Sequence, residues 1–414
     1  MTEPQRNDAP AAQIDPALRR ARGAVTAAYV AQGLGYAVIV TSLPALQLRQ
    51  GIDDSFVISM LILGVAVAAA VGSVVANVVA VRWGSRTALA LGLIIQAVAL
   101  PLIAIPTPFA LFAAAFAIFG IGLGCVDAAA AMQGVAVQRA YGRHLLGGFF
   151  AAATAAAIGG ALLVSGVALS AAAVGVALAC AAVIALGVAV IGIRFFAREV
   201  PIDEALPPAE RAQLPRAGIW VFGLVILAVF VADSAVSTWS TQYLQVDLDT
   251  LAWVAPLGYA AYQAVVLLTR LVTDRLIPAV GRRRLVAIAA SVSAVGCLVV
   301  ALLPFPSAAI IGFALAGVSA GVLIPVTFGA AGELAPEHND QVIARVNLFN
   351  YAGAILGAVV IGLLADGPGL GPAFLIPAVA LAAILFAVPR FRSTPSVARA
   401  GAGAVLPPDT GRSR

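Results

Sequence analysis

The sequence predicts an all-α membrane protein in which twelve transmembrane helices form two six-helix, pseudo-symmetric halves. The first observation is composition, because the 414 residues are 62% hydrophobic and only 10% charged and their mean hydropathy is +1.03. Soluble domains carry roughly a quarter charged residues, so this chain has too little polar surface to stay dispersed in water. The other two observations are the number of apolar runs and a polar break halfway along the chain.

Apolar runs of the right length for membrane helices follow one another along the chain. A helix needs about twenty apolar residues to cross the hydrocarbon core of a bilayer. The predicted spans of the first half are 23–45, 56–80, 87–105, 108–135, 145–168 and 171–193. Those of the second half are 217–241, 251–273, 285–304, 307–330, 342–365 and 370–389.

The arginine distribution predicts the orientation of these spans. When the loops are assigned alternately to two sides, one side collects almost every loop arginine, and the other has only Arg49. Positively charged loops face the cytoplasm, so both termini are expected there, in a bacterial cytoplasmic membrane. The predicted segments are a cytoplasmic tail at 1–22, a six-helix bundle at 23–193, a cytoplasmic linker at 194–216, a second bundle at 217–389 and a cytoplasmic tail at 390–414.

The two halves share a sequence feature in the turn before their third span. "AVRWGSR" at 80–86 and "TRLVTDRLIPAVGRRR" at 269–284 both place glycine and arginine there. Glycine permits an unusual backbone angle, while the arginines either hold helix C-termini and lipid phosphates or only fix the topology. The gating-loop candidates are Gly84, Arg86, Arg270, Asp274, Arg275, Gly281, Arg282 and Arg283. Arg270 and Asp274 are one helical turn apart, which predicts an ion pair within span 8.

The run from Asp274 to Arg283 resembles the loop 8–9 signature of the major facilitator superfamily. Gly84 and Arg86 match the loop 2–3 counterpart, but Val81 stands where the family normally has an aspartate that helps to latch the two halves. Within that superfamily, "GIGLGCVDAAAAMQGVAVQRAYGRHLLGGFF" in and after span 4 and "VADSAVSTWSTQYL" in span 7 resemble the MosC-like group of bacterial permeases. The resemblance implies the major facilitator fold and a secondary transporter that works by alternating access.

One carboxylate lies inside span 4. If this span runs inward from Pro108 at about 1.5 Å per residue, Asp127 lies slightly to the cytoplasmic side of the membrane midplane. Gly120 and Gly124 share its helix face, so another helix or a ligand could approach closely. A charge at this depth is expensive and is by default a functional candidate. Proton coupling or binding of a cationic substrate group is expected, and the alternative is a buried acid that links span 4 to a neighbour.

Further candidates lie on the other inner spans. Asp233 in span 7 is the second proton-coupling candidate. Trp239 and Tyr243 share a face of that span, where they could stack on a ligand or form an aromatic belt at the outer interface. Polar residues at midplane depth either line a cavity or join helices. The substrate-cavity candidates are Gln32, Tyr36, Gln133, Trp239, Tyr243, Tyr259, Gln263, Asn347 and Asn350.

These patterns predict a transporter and no enzyme, cofactor or metal site. No Walker, HExxH or nucleophile-elbow motif is present. The net charge of +5 is spread over the loops, so no nucleic-acid partner is expected. The expected partners are a small organic substrate, protons and the lipid bilayer, and the chain is expected to be a monomer. Met132 and Phe150 replace the Asn and His common in the MosC-like group, which favours efflux of an amphipathic metabolite or drug. The alternatives are a permease for a sugar-like or polyol nutrient and, more remotely, a non-transporting receptor or scaffold.

Overall fold

The computed structural model describes residues 15–52, 54–142, 145–170, 174–198, 214–335, 339–365, 367 and 369–391. These residues are mostly helical and contain no β-strand. The predicted C-terminal tail, apart from its first two residues, lies outside the described part, as do residues 1–14 of the N-terminal tail and most of the linker.

The N-terminal half contains six long helices, as predicted. They are α1 (Pro16–Gln50), α2 (Ser55–Trp83), α3 (Ser85–Ala104), α4 (Phe109–Tyr141), α5 (Leu146–Leu169) and α6 (Gly175–Gly192). Helix α1 begins at Pro16 rather than at residue 23, because the Asp15 side chain accepts a hydrogen bond from the Ala17 N–H at 2.8 Å and caps the helix. Proline at the first helical position also favours a start at this point.

The C-terminal half repeats this arrangement less regularly. Its helices are α7 (Arg216–Asp247), α8 (Pro256–Val280), α9 (Arg282–Leu302), α10 (Pro306–Gly332), α11 (Asn339–Ala365) and α12 (Leu370–Phe386). The last turn of α7 and the middle of α10 are π-helical, and α12 is interrupted at Phe374. Ten of the twelve helices are long and apolar enough to cross a membrane by themselves. Helix α12 is shorter, and α8 is less apolar because it carries Gln263, Arg270 and Asp274.

The backbone confirms that the two halves are related. Gly84 between α2 and α3 has φ 86° and ψ 153°, and Gly281 between α8 and α9 has φ 85° and ψ 140°. This conformation is essentially restricted to glycine. The glycine and arginine pattern in the sequence therefore corresponds to the same turn in both halves.

Small residues let the helices of each half approach closely. A Cβ atom on Gly124 of α4 would lie 1.8 Å from the carbonyl oxygen of Ala69 in α2. In the other half, a Cβ atom on Gly317 of α10 would lie 2.5 Å from the carbonyl oxygen of Tyr262 in α8. Such contacts are possible only without a side chain, and glycine interfaces are typical of membrane helices. Helix pairs α2–α4 and α8–α10 are thus equivalent.

The two halves meet through α1 with α7, α2 with α11 and α5 with α8. The arginine-rich end of the bundle is the end that carries the turns at 80–86 and 281–284. At the opposite end, Ser165 near the end of α5 donates a hydrogen bond to the Trp253 carbonyl before α8. At the arginine-rich end, a separate hydrophobic cluster extends from Ala21 to Ala197 and contains residues of the N-terminal half only. The halves are therefore packed together at one end and separate toward the other.

Candidate functional site

The local packing of α4 places Asp127 beside α1. Gly120 and Gly124 contact α2 at Val65 and Ala69, where an added Cβ atom would clash with backbone carbonyl oxygens. The predicted small-residue face therefore accommodates a neighbouring helix. Asp127, one turn further along α4, reaches α1 instead and contacts Gln32.

Three helices are joined through one side-chain network around Asp127. The Nε2 atom of Gln32 donates to Asp127 Oδ1 at 2.6 Å and to the Leu123 carbonyl oxygen at 3.2 Å. The buried Gln96 of α3 donates through its Nε2 to Gln32 Oε1 at 2.6 Å. Because the Gln32 amide is held on both sides, it presents its N–H groups to α4. The network orients one carboxylate oxygen of Asp127.

Asp127 is nevertheless exposed. An exposed carboxylate in the middle of a helix that packs against α1, α2 and α3 requires open space beside it. The separation of the halves at the arginine-rich end provides that space. Tyr29 of α1 interacts electrostatically with Asp127 and stacks on Phe149, with ring centroids 5.5 Å apart. Phe150, which is exposed, meets the edge of the same Tyr29 ring.

The second carboxylate has a different environment. The Tyr262 hydroxyl of α8 donates to Asp233 Oδ1 of α7 at 2.5 Å. The next residue, Ser234, donates to the Ala354 carbonyl oxygen of α11 at 2.7 Å. Asp233 is only partly exposed and Tyr262 is fully buried. Asp233 is therefore less exposed than Asp127 and is held by a residue of its own half.

Arg270 of α8 reaches across to the other half. Its Nη1 atom donates to the Thr154 hydroxyl of α5 at 3.2 Å, and its charge interacts with that of Asp233. The ion pair with Asp274 expected from their spacing is not among the contacts of the described residues, and Asp274 is exposed. The reason is that the inner face of α8 turns Arg270 toward α5 and α7.

A group of hydroxyl and amide side chains lies near the two carboxylates. Tyr36 of α1 is close enough to Asp127, Asp233 and Tyr259 of α8 for their charges to affect its hydroxyl. Gln263 donates through its Nε2 to the Tyr259 hydroxyl at 2.6 Å. Tyr36 and Tyr259 also pack together in a cluster formed by α1, α5 and α8. The structure thus brings these three predicted residues together at the junction of the halves.

Trp239 and Tyr243 are sealed inside the C-terminal half. The Trp239 Nε1 atom donates to the Ala358 carbonyl oxygen of α11 at 2.8 Å, and the Tyr243 hydroxyl donates to the Val300 carbonyl oxygen of α9 at 3.2 Å. Both side chains are buried. Their contacts in this conformation are therefore with neighbouring helices, and neither ring is free to stack on a ligand.

Gln133 is also fully buried and fixes the chain after α6. It donates to Ser85 Oγ at 2.6 Å and to the Ala197 carbonyl oxygen at 3.1 Å, and it accepts from the Ala197 N–H at 2.8 Å. Asn350 donates to Asn347 Oδ1 at 3.3 Å on the partly exposed face of α11. Of these three predicted cavity residues, the two asparagines have the accessible amides.

The predicted loop residues divide into two groups. Gly84 and Gly281 form the equivalent turns, Arg86 is half-buried, and Asp274, Arg275 and Arg283 are exposed. Arg282 makes a bidentate ion pair with Glu333 after α10, with both N–O distances at 2.7 Å. The hydrogen bonds from Arg282 lower the pKa of Glu333 below its usual range.

Gln96 and Thr154 are among the site residues that the sequence alone does not single out. Gln96 is the one polar side chain in the middle of the apolar run "LIIQAVAL", and this isolation was a usable signal. Thr154 gave no signal, because alanine-rich helices tolerate threonine without a special role. Within the described residues, no group of three metal-binding side chains occurs.

The sequence of the chain matches a family model over almost its full length. The model, described as Major Facilitator Superfamily, matches residues 25–278 and 221–408. The chain belongs to the major facilitator superfamily. The resemblance seen in the loop signatures is thereby confirmed, and membership in this superfamily identifies a multi-pass membrane transporter rather than an enzyme.

Two relatives resemble this chain in sequence. An uncharacterised MFS-type transporter of Yersinia pestis is 26% identical over 352 residues, which cover 84% of this chain and 89% of the relative. Membrane protein MosC of Rhizobium meliloti is 29% identical over 163 residues, which cover 39% of this chain and 40% of the relative.

Solved structures agree on the fold. A point mutant of the nucleoside transporter NupG superimposes with a TM-score of 0.73 at 14% identity, covering 89% of this chain and 99% of that chain. The E. coli fucose:proton symporter FucP, in an outward conformation, gives a TM-score of 0.60 at 18% identity over 90% of this chain and 99% of that one. At these identities the likeness establishes the major facilitator fold alone.

Proposed function

We propose that this chain is a proton-coupled secondary transporter that moves a small organic molecule by alternating access. Asp127 is the coupling group, and the space beside it leads to the arginine-rich end of the bundle. The two halves rock about a site between α1, α4, α5, α7 and α8. Inner-membrane localisation, cytoplasmic termini and a monomeric state complete the proposal.

The environment of Asp127 carries this proposal. The carboxylate is exposed, lies in the interior of a membrane helix, and is held by the neutral amide of Gln32 rather than by an arginine. No ion pair to Asp127 occurs among the described residues. A carboxylate with these properties can bind and release a proton without breaking a salt bridge.

The substrate and direction have two candidates, each with its own support. The apolar surface contributed by Met132 and Phe150 favours efflux of an amphipathic metabolite or drug. The partly exposed side chains of Tyr36 and Gln263 favour a permease for a hydroxylated molecule, because they offer hydrogen bonds at the junction of the halves. The structurally similar NupG and FucP, a nucleoside transporter and a fucose:proton symporter, agree with the second candidate.

The test is transport in proteoliposomes with an imposed pH gradient over a panel of metabolites and drugs. A symporter accumulates substrate when the outside is acidic, and an antiporter does so when the lumen is acidic. Asp127→Asn is expected to abolish gradient-driven accumulation while substrate counterflow without a gradient continues. The matched control is Asp249→Asn, an exposed loop position with φ 47°, where asparagine is equally well tolerated.

Full gradient-driven accumulation by Asp127→Asn would refute the coupling role of this residue. If no panel member moves with or without a gradient, the transporter proposal fails in favour of the receptor alternative. A reporter fused to the C-terminus that responds only outside the cytoplasm would stay inactive if both termini are cytoplasmic.

A further inference from the structure

Arg270 is a permanent positive charge placed inside the bundle. It lies in the body of α8, partly buried, and its neighbours Tyr262, Thr154 and Asp233 belong to helices of both halves. Placing an arginine within a membrane span is expensive, and such residues face a partner or a water-filled space. The charge therefore requires an explanation that the coupling role of Asp127 does not provide.

The guanidinium group has unused hydrogen-bonding capacity. An arginine offers five N–H donors in a planar fork, whereas the described contacts of Arg270 use one of them, to the neutral hydroxyl of Thr154. None of its nitrogen atoms is among the buried polar atoms that lack a partner. Among the described residues, the remaining N–H groups of the partly buried Arg270 have no hydrogen-bond partner and are not sealed off, so they can bind a ligand.

The nearby carboxylate balances this charge without occupying the fork. Asp233 interacts electrostatically with Arg270, but its Oδ1 atom is held by Tyr262, and no direct Arg270–Asp233 ion pair is found among the described residues. The other titratable groups that face this pair are Tyr36 from α1 and Tyr259 from α8. Arg270 thus has a counter-charge that lies beyond ion-pair distance, and its described contacts leave N–H groups to bind a ligand.

We propose that Arg270 binds the carboxylate group of the substrate, so that the transported molecule is a small organic anion. The planar fork matches a carboxylate through two parallel hydrogen bonds. The partly exposed Gln263, about two turns away on α8, offers hydrogen bonds to the remainder of the molecule and is itself held by the buried Tyr259. This inference rests on the proposed transport function and narrows its substrate class.

Asp233 gives the binding of this anion a link to protons. When a substrate carboxylate takes the positive charge of Arg270, Asp233 loses its counter-charge. A proton from water then binds one Asp233 carboxylate oxygen, and the site returns to its original net charge. No covalent bond of the substrate changes. Protonation of Asp233 therefore favours binding of the anion, while Asp127 remains the group through which the proton gradient acts.

The test is binding to the detergent-purified full chain in the absence of any gradient. Dissociation constants are measured from thermal unfolding by tryptophan fluorescence as each probe is titrated. The probes are carboxylates paired with their neutral amides: lactate with lactamide, benzoate with benzamide, and gluconate with gluconamide. We expect at least one carboxylate to bind the wild type about tenfold or more tightly than its amide.

Four variants locate the site. Arg270→Gln is expected to remove the preference for the carboxylate, and Arg270→Lys to retain part of it. Asp233→Asn removes the competing charge and should tighten carboxylate binding about tenfold. The matched control Arg284→Gln removes an exposed arginine at the start of α9 and should leave binding unchanged.

Each possible result supports or overturns the assignment of Arg270 as the carboxylate-binding residue. The assignment is overturned if no carboxylate binds the wild type more tightly than its amide, or if Arg270→Gln keeps the preference. If Arg270→Gln does not fold, Asp233→Asn decides, and unchanged or weaker carboxylate binding in that variant overturns the assignment. The proposed function fails separately: carboxylates that bind through Arg270 but accumulate fully in Asp127→Asn liposomes would refute the coupling role of Asp127 and leave the anion site standing.

Discussion

The close contact between α2 and α4 predicts how much one added methyl group lowers the free energy of unfolding. Gly124→Ala would place a Cβ atom 1.8 Å from the Ala69 carbonyl oxygen and 2.8 Å from its Cα atom. These are backbone atoms that cannot rotate away, so the two helices must separate locally by about 1 Å or more. Because α4 also positions Asp127 against Gln32, the change disturbs both the packing and the network.

The magnitude follows from two opposing effects. Overpacking a tight interface costs typically about 1–3 kcal/mol, and a rigid backbone neighbour places this clash at the upper end. Replacing glycine by alanine in a helix returns up to about 1 kcal/mol. The expected net loss is about 2 kcal/mol in the free energy of unfolding. Gly64→Ala in α2 is the matched control, because nothing lies within 4 Å of its Cβ position, and it should be neutral or stabilising.

The assay is reversible unfolding of both variants in the same detergent, followed by tryptophan fluorescence. A double-mutant cycle sharpens it, since Gly72→Ala on α2 would meet the Ile121 carbonyl oxygen at 2.1 Å across the same crossing. Once either alanine has separated the helices, the second should cost less than it does alone. If Gly124→Ala is as stable as Gly64→Ala, or the two costs simply add, the close α2–α4 approach is refuted.

Two further predictions concern the loops at the arginine-rich end. Gly84→Ala and Gly281→Ala have open space at the new Cβ atom but force alanine to φ near +85°. Each should therefore lower the free energy of unfolding by about 1–3 kcal/mol. Gly23→Ala in α1 is the control and should not lower it. Unequal costs for the two turns would contradict their structural equivalence. Because the pKa of Glu333 is depressed by Arg282, this ion pair stabilises the fold above the unfolded pKa of about 4.3 and is lost as pH falls through the lower folded value. Glu333→Gln should therefore cost at most about 1 kcal/mol at neutral pH and nothing in strong acid. A cost that persists in acid would show that another contact is responsible.

The twelve-helix architecture can be predicted because each helix and each turn has its own pattern in a short stretch of sequence. Apolar length identifies spans one at a time, and the repeated glycine turn relates the halves without any knowledge of tertiary contacts. Helix ends were less accurate: the cap at Asp15 and the turn before Pro256 depend on a few polar atoms that hydropathy averages over.

For the candidate site, the sequence indicates which residues to consider but not which residues they contact. Sequence spacing correctly gives residues that share a helix face, such as Trp239 and Tyr243, yet it does not say which neighbour covers that face. Arg270 illustrates the same limit, since it donates a hydrogen bond to Thr154 on another helix and not to Asp274, its neighbour in sequence. Partners separated by more than one hundred residues are set by how the helices pack, and packing is a property of the whole bundle.

The asymmetry between the two carboxylates follows from this packing and explains why they are assigned different roles. Asp127 is held by a neutral amide and is exposed, so its protonation changes one hydrogen bond and leaves the rest of the network intact. Asp233 is covered by Tyr262 and balances the charge of Arg270, so its protonation is linked to whatever else binds that arginine. The pseudo-symmetric fold thus has one acid in α4 and one in α7. We propose that their different neighbours make the first acid respond to the proton supply and the second to the substrate.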